Sequence, residues 1–172
     1  LAVRLKVLSQ DHPDTAINYN NLGNDYLAIA EYGRAIEYLE KSVAIFLRTL
    51  GPEHPLVATG YSNIGSTYDA GGNYDRAIEY HEKSLAIRLK ALGTEHPDVA
   101  RSYNNLGCEY GSKGDHGRAI EYHEKSLAIR LKALGPDHPD VATSYNNLGM
   151  GYGRKGEHDR AIGYLEKSLA IQ

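Results

Sequence analysis

The sequence predicts an all-α fold, namely an α-solenoid of antiparallel helix pairs in four repeats. Three observations support this: a motif recurs every 42 residues, apolar residues recur at helical spacing, and Gly or Pro follows most of the predicted helices. The motif consists of a tyrosine, two polar residues, an aliphatic residue and a glycine. It begins at Tyr19, Tyr61, Tyr103 and Tyr145.

The repeats divide the chain into a single array that covers residues 1–172. Residues 51–92 and 93–134 are identical at 28 of 42 positions, so they are copies of one unit. We expect residues 1–10 to be the end of a preceding helix and its loop. The predicted repeats are 11–52, 53–94, 95–136 and 137–172, and the last of these is truncated.

The first helix of each repeat is clearest in the third. Its large and small core residues recur at i, i+3, i+4 and i+7 from Tyr103 to Tyr110, which places them on one helical face. Pro97 suits the first turn of a helix, where a missing backbone N–H costs nothing. Gly114 provides the stop signal. The pattern therefore predicts a helix that begins near Pro97 and ends just before Gly114.

The second helix of that repeat is predicted over 118–134, where apolar residues recur at helical spacing before Gly135. Loops this short make neighbouring helices antiparallel. One helix pair cannot bury its apolar face alone, so successive pairs are expected to stack and share a core. The residues expected where the paired helices cross are small: Gly23, Gly65, Gly107, Gly149, Ala35, Ala77, Ala119 and Ala161.

Composition excludes several classes of protein. Lys and Arg number 19 against 22 Asp and Glu, a balance that argues against nucleic-acid binding because phosphate contacts need a cationic surface. The single cysteine, Cys108, excludes a disulfide scaffold and a multi-cysteine zinc site. No apolar run approaches the roughly 20 residues of a membrane span, so no membrane partner is predicted. These features predict a cytoplasmic protein.

The repeat resembles the tetratricopeptide repeat (TPR). The match lies in Tyr103, Leu106-Gly107, Tyr110, Gly114, Ala119 and Tyr122. The usual repeat has about 34 residues, whereas the form with 42 and a Gly-x-x-His-Pro loop is similar to the repeats of kinesin light chains. This chain departs from the pattern at Ala30, which replaces a helix-ending glycine, and at His81 and His123, which replace large apolar residues.

The resemblance implies a protein–protein interaction scaffold that binds an extended peptide in a concave groove lined by the first helices. Opposite the tyrosine face, those helices carry a polar and nearly uncharged row of side chains, and carboxamides can both donate to and accept from a peptide backbone. The alternative is that the asparagines cap or brace neighbouring helices. The predicted peptide-binding residues are Asn20, Asn21, Asn24, Asn63, Ser66, Arg101, Asn104, Asn105, Asn146, Asn147 and Arg154.

Charge predicts a preference within the groove. Arg101, Lys113, Arg154 and Lys155 lie near it in repeats three and four, whereas repeats one and two offer Asp25 and Asp69. We therefore expect an acidic peptide stretch or a C-terminal carboxylate to bind at the repeat three–four end. The two-lysine clamp of chaperone-binding TPR domains is absent, since Asn, Ser or Thr occupies the matching positions.

No enzymatic activity, metal or cofactor is predicted. Nearly every polar residue recurs in register, whereas catalysis needs a unique constellation. The loop histidines at 12, 54, 96 and 138 are expected to serve packing and helix starts, and those at 81 and 123 to be hydrogen-bonded core residues. The tyrosines are expected in the core. The charged runs of the second helices, such as Arg130-Leu131-Lys132, are expected to be solvated.

A second function class stays open. Leu1–Leu8 match the end of a second helix, and Ile171-Gln172 stop within another, so both ends are expected to expose apolar surface. Complementary ends allow head-to-tail association. The alternative function is therefore a structural array that associates with further copies of itself.

Overall fold

The computed structural model describes residues 12–171, which fall into two units divided between Ala91 and Leu92. Unit 1 contains α1 (Pro13–Ala28), α2 (Tyr32–Leu50), α3 (Pro55–Ala70) and α4 (Tyr74–Leu92), the last residue of which belongs to unit 2. Unit 2 contains α5 (Pro97–Ser112), α6 (His116–Leu134), α7 (Pro139–Arg154) and α8 (His158–Leu169). The described residues form no strand, which confirms the all-α prediction. The helix remnant predicted at 1–10 lies outside the described residues.

The start of each first helix is fixed by the histidine of the preceding loop. His12, His54, His96 and His138 have extended backbones, and each ring Nδ1 accepts a hydrogen bond from the backbone N–H two residues later at 3.1–3.2 Å. Each ring thus satisfies one N–H that the helix leaves unpaired, and proline fills the next position. The predicted role in starting the helix is confirmed for these four residues.

The end of each first helix requires a left-handed residue. Gly72, Gly114 and Gly156 have φ between 76° and 84°, and the N–H of the residue after each one bonds back to a tyrosine carbonyl of the last helical turn. In repeat one this position is Ala30, with φ of 60°. Left-handed backbone costs an L-residue with a Cβ roughly 1–2 kcal/mol, so the missing glycine of repeat one is a strained position.

The core of unit 1 lies between its helix pairs. Leu39, Phe46, Val57 and Ile64 are buried there, in contact with residues from α1 and α4. The glycine of each first helix admits a second-helix side chain: a Cβ at position 23 would lie 2.6 Å from Leu39 Cγ. The close approach expected at the small residues is therefore present.

Tyrosines form the edge of the core rather than its centre. In every repeat a tyrosine of the second helix stacks on one from the first, as Tyr122 does on Tyr110 at 5.5 Å between ring centroids. Only three of the 14 tyrosines are buried, and the others are half-buried. Eleven of the rings have an Arg or Lys side chain over one face, such as Arg118 at 4.2 Å from the Tyr110 ring centroid. The prediction that the tyrosines lie in the core therefore holds in full for Tyr80, Tyr110 and Tyr152 and in part for the half-buried others.

Two predictions about α6 need correction. The helix begins at His116, two residues before the predicted start, because Asp115 caps it by accepting from the backbone N–H of Arg118 at 3.0 Å. Arg130 was expected to be solvated but is 8% exposed. Its guanidinium donates to the carbonyl of Asp140 at 2.9 Å and to the Ser144 hydroxyl at 2.8 Å, which ties α6 to α7.

Candidate peptide-binding surface

The first helices of unit 1 present a bonded pair of carboxamides. Asn63 Nδ2 on α3 donates to Asn20 Oδ1 on α1 at 2.8 Å, and both residues are half-buried. Each carboxamide has two N–H donors and one oxygen with two lone pairs. This bond therefore leaves the oxygen of Asn63 and the amino group of Asn20 available for further hydrogen bonds.

Unit 2 repeats the arrangement two repeats further along the sequence. Asn147 Nδ2 on α7 donates to Asn104 Oδ1 on α5 at 2.9 Å. The asparagines at 63 and 147 thus brace adjacent first helices, as the alternative interpretation held, while the brace uses one of the four hydrogen-bonding positions of each side chain. We name the pairs Asn20–Asn63 and Asn104–Asn147 the amide pairs.

The other predicted polar residues differ in their exposure. Asn105 is half-buried, and Asn104 Nδ2 lies 4.0 Å from Cys108 Sγ. Asn146 Nδ2 donates to Met150 Sδ at 3.5 Å, a weak bond that a peptide carbonyl could replace. Apart from the two arginines, the exposed members of the predicted set are Asn21, Asn24, Ser66 and Asn146. They add solvent-facing hydrogen-bonding groups to the helices that carry the amide pairs.

The two predicted arginines have different surroundings. Arg101 is held by an ion pair with Asp98, with Nη2 at 2.9 Å from Oδ1. Arg154 is exposed and forms no ion pair with another described residue. Its Nη1 would lie 3.8 Å from a Cβ placed at Gly111, so the guanidinium extends from α7 toward α5. Of these two arginines, Arg154 is the one whose charge is uncompensated.

A cavity of about 210 Å³ lies between α5, α6 and α7, close to Arg154. Glycines at 107, 111 and 151 form part of its wall, and Cys108 and His123 also line it. His123 is 5% exposed, and its Nδ1 has no hydrogen-bond partner, contrary to the hydrogen bonding expected there. Burial and then the charge of Arg130 lower the pKa of His123 to about 4, so the ring is neutral near pH 7.

This cavity was not predicted from the sequence because no single residue or motif indicates it. Two glycines stand there in place of larger residues. Gly111 corresponds to Leu27 and Asp69 of unit 1 and to Gly153 of repeat four, and Gly151 corresponds to Asp25, Thr67 and Glu109. Comparing the repeats position by position for lost volume, rather than for shared residues, is the signal that could have found it.

Within 12–171, no three His, Cys, Asp or Glu side chains come together in a way that could hold a metal ion. In the same residues, no helix has both the length and the apolar character that crossing a membrane requires.

Comparison with known proteins identifies the repeat type. A family model described as Tetratricopeptide repeat matches residues 1–48, 31–90, 70–132 and 112–172. No curated protein sequence matches the chain significantly.

Solved structures agree in fold. BtubC (BKLC) from P. vanneervenii has a TM-score of 0.88 and 28% identity, over 98% of this chain and 68% of that one. A putative kinesin light chain of Podosopora anserina with nearly identical TPR-like repeats has a TM-score of 0.83 and 33% identity, over 99% and 81%. The apo form of RapI shares the fold at a TM-score of 0.86 and 19% identity, over 99% and 60%. The helix pairs, the family match along the whole chain and these neighbours establish that this chain belongs to the tetratricopeptide-repeat family, in a form similar to kinesin light chain-like arrays.

Proposed function

We propose that the chain is a scaffold that binds an extended segment of a protein partner along its first helices. The observation that carries the proposal is the pair of inter-helix amide bonds, Asn63 to Asn20 and Asn147 to Asn104. Each bond fixes the orientation of two carboxamides, so their remaining donors and acceptors are held in place before a partner arrives. A preorganised group loses less conformational entropy on binding than a free one.

The chemistry of this surface fits a peptide backbone better than a defined side-chain sequence. Carboxamides pair with backbone N–H and C=O groups alike, so affinity would come from the main chain and specificity from neighbouring pockets. Asn24 and Asn146 extend this surface into solvent. The family is one of protein-interaction scaffolds, and we assign this chain the same binding role, with no catalytic activity and no cofactor.

The repeat three–four end is the favoured place for an acidic partner. Arg154 carries a positive charge with no ion pair there, whereas Asp25 and Asp69 lie on the first helices of unit 1. An acidic stretch or a C-terminal carboxylate would gain from Arg154 and avoid repulsion from those carboxylates. A cytoplasmic location and the absence of nucleic-acid and membrane partners complete the proposal and rest on composition.

The test is selection of a random-peptide phage library on the full chain. The variant Asn24→Ala/Asn146→Ala removes two exposed carboxamides and leaves the amide pairs intact. We expect the selected peptides to bind this variant about tenfold more weakly than wild type, the loss of roughly two hydrogen bonds. Glu121→Ala, an exposed substitution on second helix α6, is the matched control and should bind normally. Equal affinity for wild type and the double variant would contradict the proposal.

A second candidate function is self-association, and the exposed apolar face of α8 favours it. Leu165 is 36% exposed and Leu169 is 70% exposed, whereas Leu39 and Val43 at the matching positions of α2 are buried. In unit 1 the face of α2 is covered by α3, so the first helix of a second copy is the occupant that would fit α8. Light scattering over a range of concentrations tests this, and a strictly monomeric protein would exclude it.

A further inference from the structure

The cavity between α5, α6 and α7 is specific to unit 2's own sequence rather than a feature of the repeat. Gly111 lacks the side chain that Leu27 and Asp69 supply at the matching position of unit 1, and Gly153 lacks it in repeat four. At Gly151, a Cβ would already lie 3.0 Å from Ile120 Cγ1, so the glycine also allows α6 to pack closely. Where a residue differs from its equivalents in the other repeats and leaves open space, that space is a candidate for ligand binding, because stacking of the repeats does not require it.

The inner part of the cavity contains hydrogen-bonding groups that the protein leaves unused. His123 is 95% buried, lines the cavity, and has an Nδ1 without a partner. His116 also lines it, and its Nδ1 atom is likewise buried and without a partner. An unpaired buried polar atom costs about 1–3 kcal/mol, so a ligand that bonds these nitrogens would recover that cost.

The outer part of the cavity is cationic. Arg154 lines it, and no Asp or Glu is among the lining residues. Ser112 on α5 and Asn147 on α7 also line the cavity, and their hydroxyl and carboxamide groups can donate. A neutral imidazole that carries its proton on Nδ1 donates as well. The available groups are therefore donors around one positive charge, which is the complement of an anion.

We propose that this cavity binds a carboxylate, with Arg154 as its ion-pair partner and the imidazoles of His116 and His123 as further donors. The site rests on the proposed function in that it would capture an acidic side chain or the C-terminus of the bound segment. A carboxylate carries one negative charge and accepts a bidentate bond from one guanidinium. A phosphate group carries a charge of about −1.5 to −2, so it would need a second cationic side chain, which the cavity wall lacks.

The first experiment measures binding to three small probes by NMR of the His116, His123 and Arg154 side chains in the full chain. N-acetyl-glutamate α-amide supplies a side-chain carboxylate, N-acetylglycine supplies a C-terminal one, and N-acetyl-glutamine α-amide is the neutral isostere. We expect saturable shifts with one or both carboxylates, and the tighter of the two identifies the source. Absence of saturable shifts, or equal shifts with the neutral isostere, would overturn the proposal.

The second experiment repeats the titration with variants drawn from the other repeats. Gly111→Asp introduces the residue of repeat two, and its carboxylate would reach Arg154 from within the protein and compete with the probe. Arg154→Gln removes the charge, and His123→Leu introduces the residue found at positions 39 and 165. Gly111→Asp and Arg154→Gln should each lower the affinity for the preferred carboxylate probe by about tenfold or more, which corresponds to the loss of one charge-assisted hydrogen bond. Unchanged affinity in Arg154→Gln would refute the site.

A matched control separates binding from helix stability. Gly153→Ala changes a glycine of α7 that does not line the cavity, and its Cβ would make an ordinary 3.8 Å contact with Ala161. It should bind the probes as wild type does. The failures of the two proposals are distinguishable: a chain that selects peptides but binds no carboxylate probe lacks the cavity site alone. A chain that binds the probe but selects no peptide lacks the peptide-binding function alone.

Discussion

The imidazole of His123 lies directly on the backbone of Gly107, so that a Cβ at position 107 would be 2.6 Å from the ring Cε1 and Nδ1 atoms. Gly107→Ala therefore forces the ring or the helices apart, at a cost of about 1–3 kcal/mol in the free energy of unfolding. Urea denaturation measures this. Gly33→Ala is the control, because nothing lies within 4 Å of its Cβ, and it should stabilise the protein. Equal effects of the two substitutions would contradict the packing described.

The burial of His123 makes stability depend on pH. Desolvation and then the charge of Arg130 lower its pKa to about 4, whereas the unfolded chain protonates the ring near pH 6.5. Between these values the unfolded state binds more protons, so stability is complete above about pH 6.5 and falls as the pH drops toward 4. We expect wild type to lose about 2–3 kcal/mol more than His123→Leu over this interval.

Chemical denaturation of both proteins at pH 7.5, 5.5 and 4 provides the measurement for this prediction. Carboxylates titrate in the same interval, so the comparison between the two proteins isolates the histidine. The variant is expected to fold, because Leu39 and Leu165 occupy the same position against Gly23 and Gly149. Parallel pH profiles for wild type and His123→Leu would show that the native ring is protonated normally.

The fold follows from the sequence because local signals and the repeat agree. A proline begins the first helix of all four repeats, and a glycine follows that helix in three of them, so the copies agree on where the helix begins and ends. The use of His12 and its equivalents as helix caps is less predictable. Ser, Thr, Asp and Asn are the usual N-cap residues. The histidine can cap the helix because its extended backbone directs Nδ1 toward the backbone N–H of the second helical residue.

The candidate site was harder to predict because it depends on pairs of residues far apart in the chain. Asn20 and Asn63 both lie on the polar face of their helices. They are 43 residues apart, one more than the repeat length, so comparing equivalent positions of the repeats does not pair them. The cavity depends on volumes that are missing, at Gly111 and Gly151, and a missing side chain has no motif. Burial of Arg130 likewise required its partners on α7, which the charged pattern of α6 does not reveal.

Two serines at the same repeat position are predicted to respond oppositely to replacement by alanine. Ser126 is fully buried, and its hydroxyl has no hydrogen-bond partner, whereas the Ser168 hydroxyl donates to the carbonyl of Ala142 at 2.8 Å. Ser126→Ala should stabilise the protein by about 1 kcal/mol, and Ser168→Ala should destabilise it by a similar amount. Thermal unfolding of both variants checks the signs, and a loss of stability in Ser126→Ala would show that its hydroxyl is satisfied.

Ala30 is predicted to be a removable source of strain. Its φ of 60° is the left-handed conformation that Gly72, Gly114 and Gly156 adopt in the other repeats. Ala30→Gly relieves about 1–2 kcal/mol of backbone strain and adds up to about 1 kcal/mol of unfolded-state entropy, for a net gain of about 0.5–1 kcal/mol. The reciprocal variant, Gly114→Ala, should lose about 1 kcal/mol. Thermal melting would disprove the assignment if Ala30→Gly lowered the transition temperature.

The first helix of repeat four, α7, is predicted to be the least stable internal helix. It contains glycines at 149, 151 and 153, and each interior glycine costs about 1 kcal/mol relative to alanine. Backbone amides of α7 should therefore exchange with solvent faster than those of α5, which has glycines at 107 and 111 alone. Gly153→Ala, which fits without a clash, should slow exchange in α7 by about fivefold. Slower exchange in α7 than in α5 would mean that its contacts with α6 and α8 outweigh the glycines.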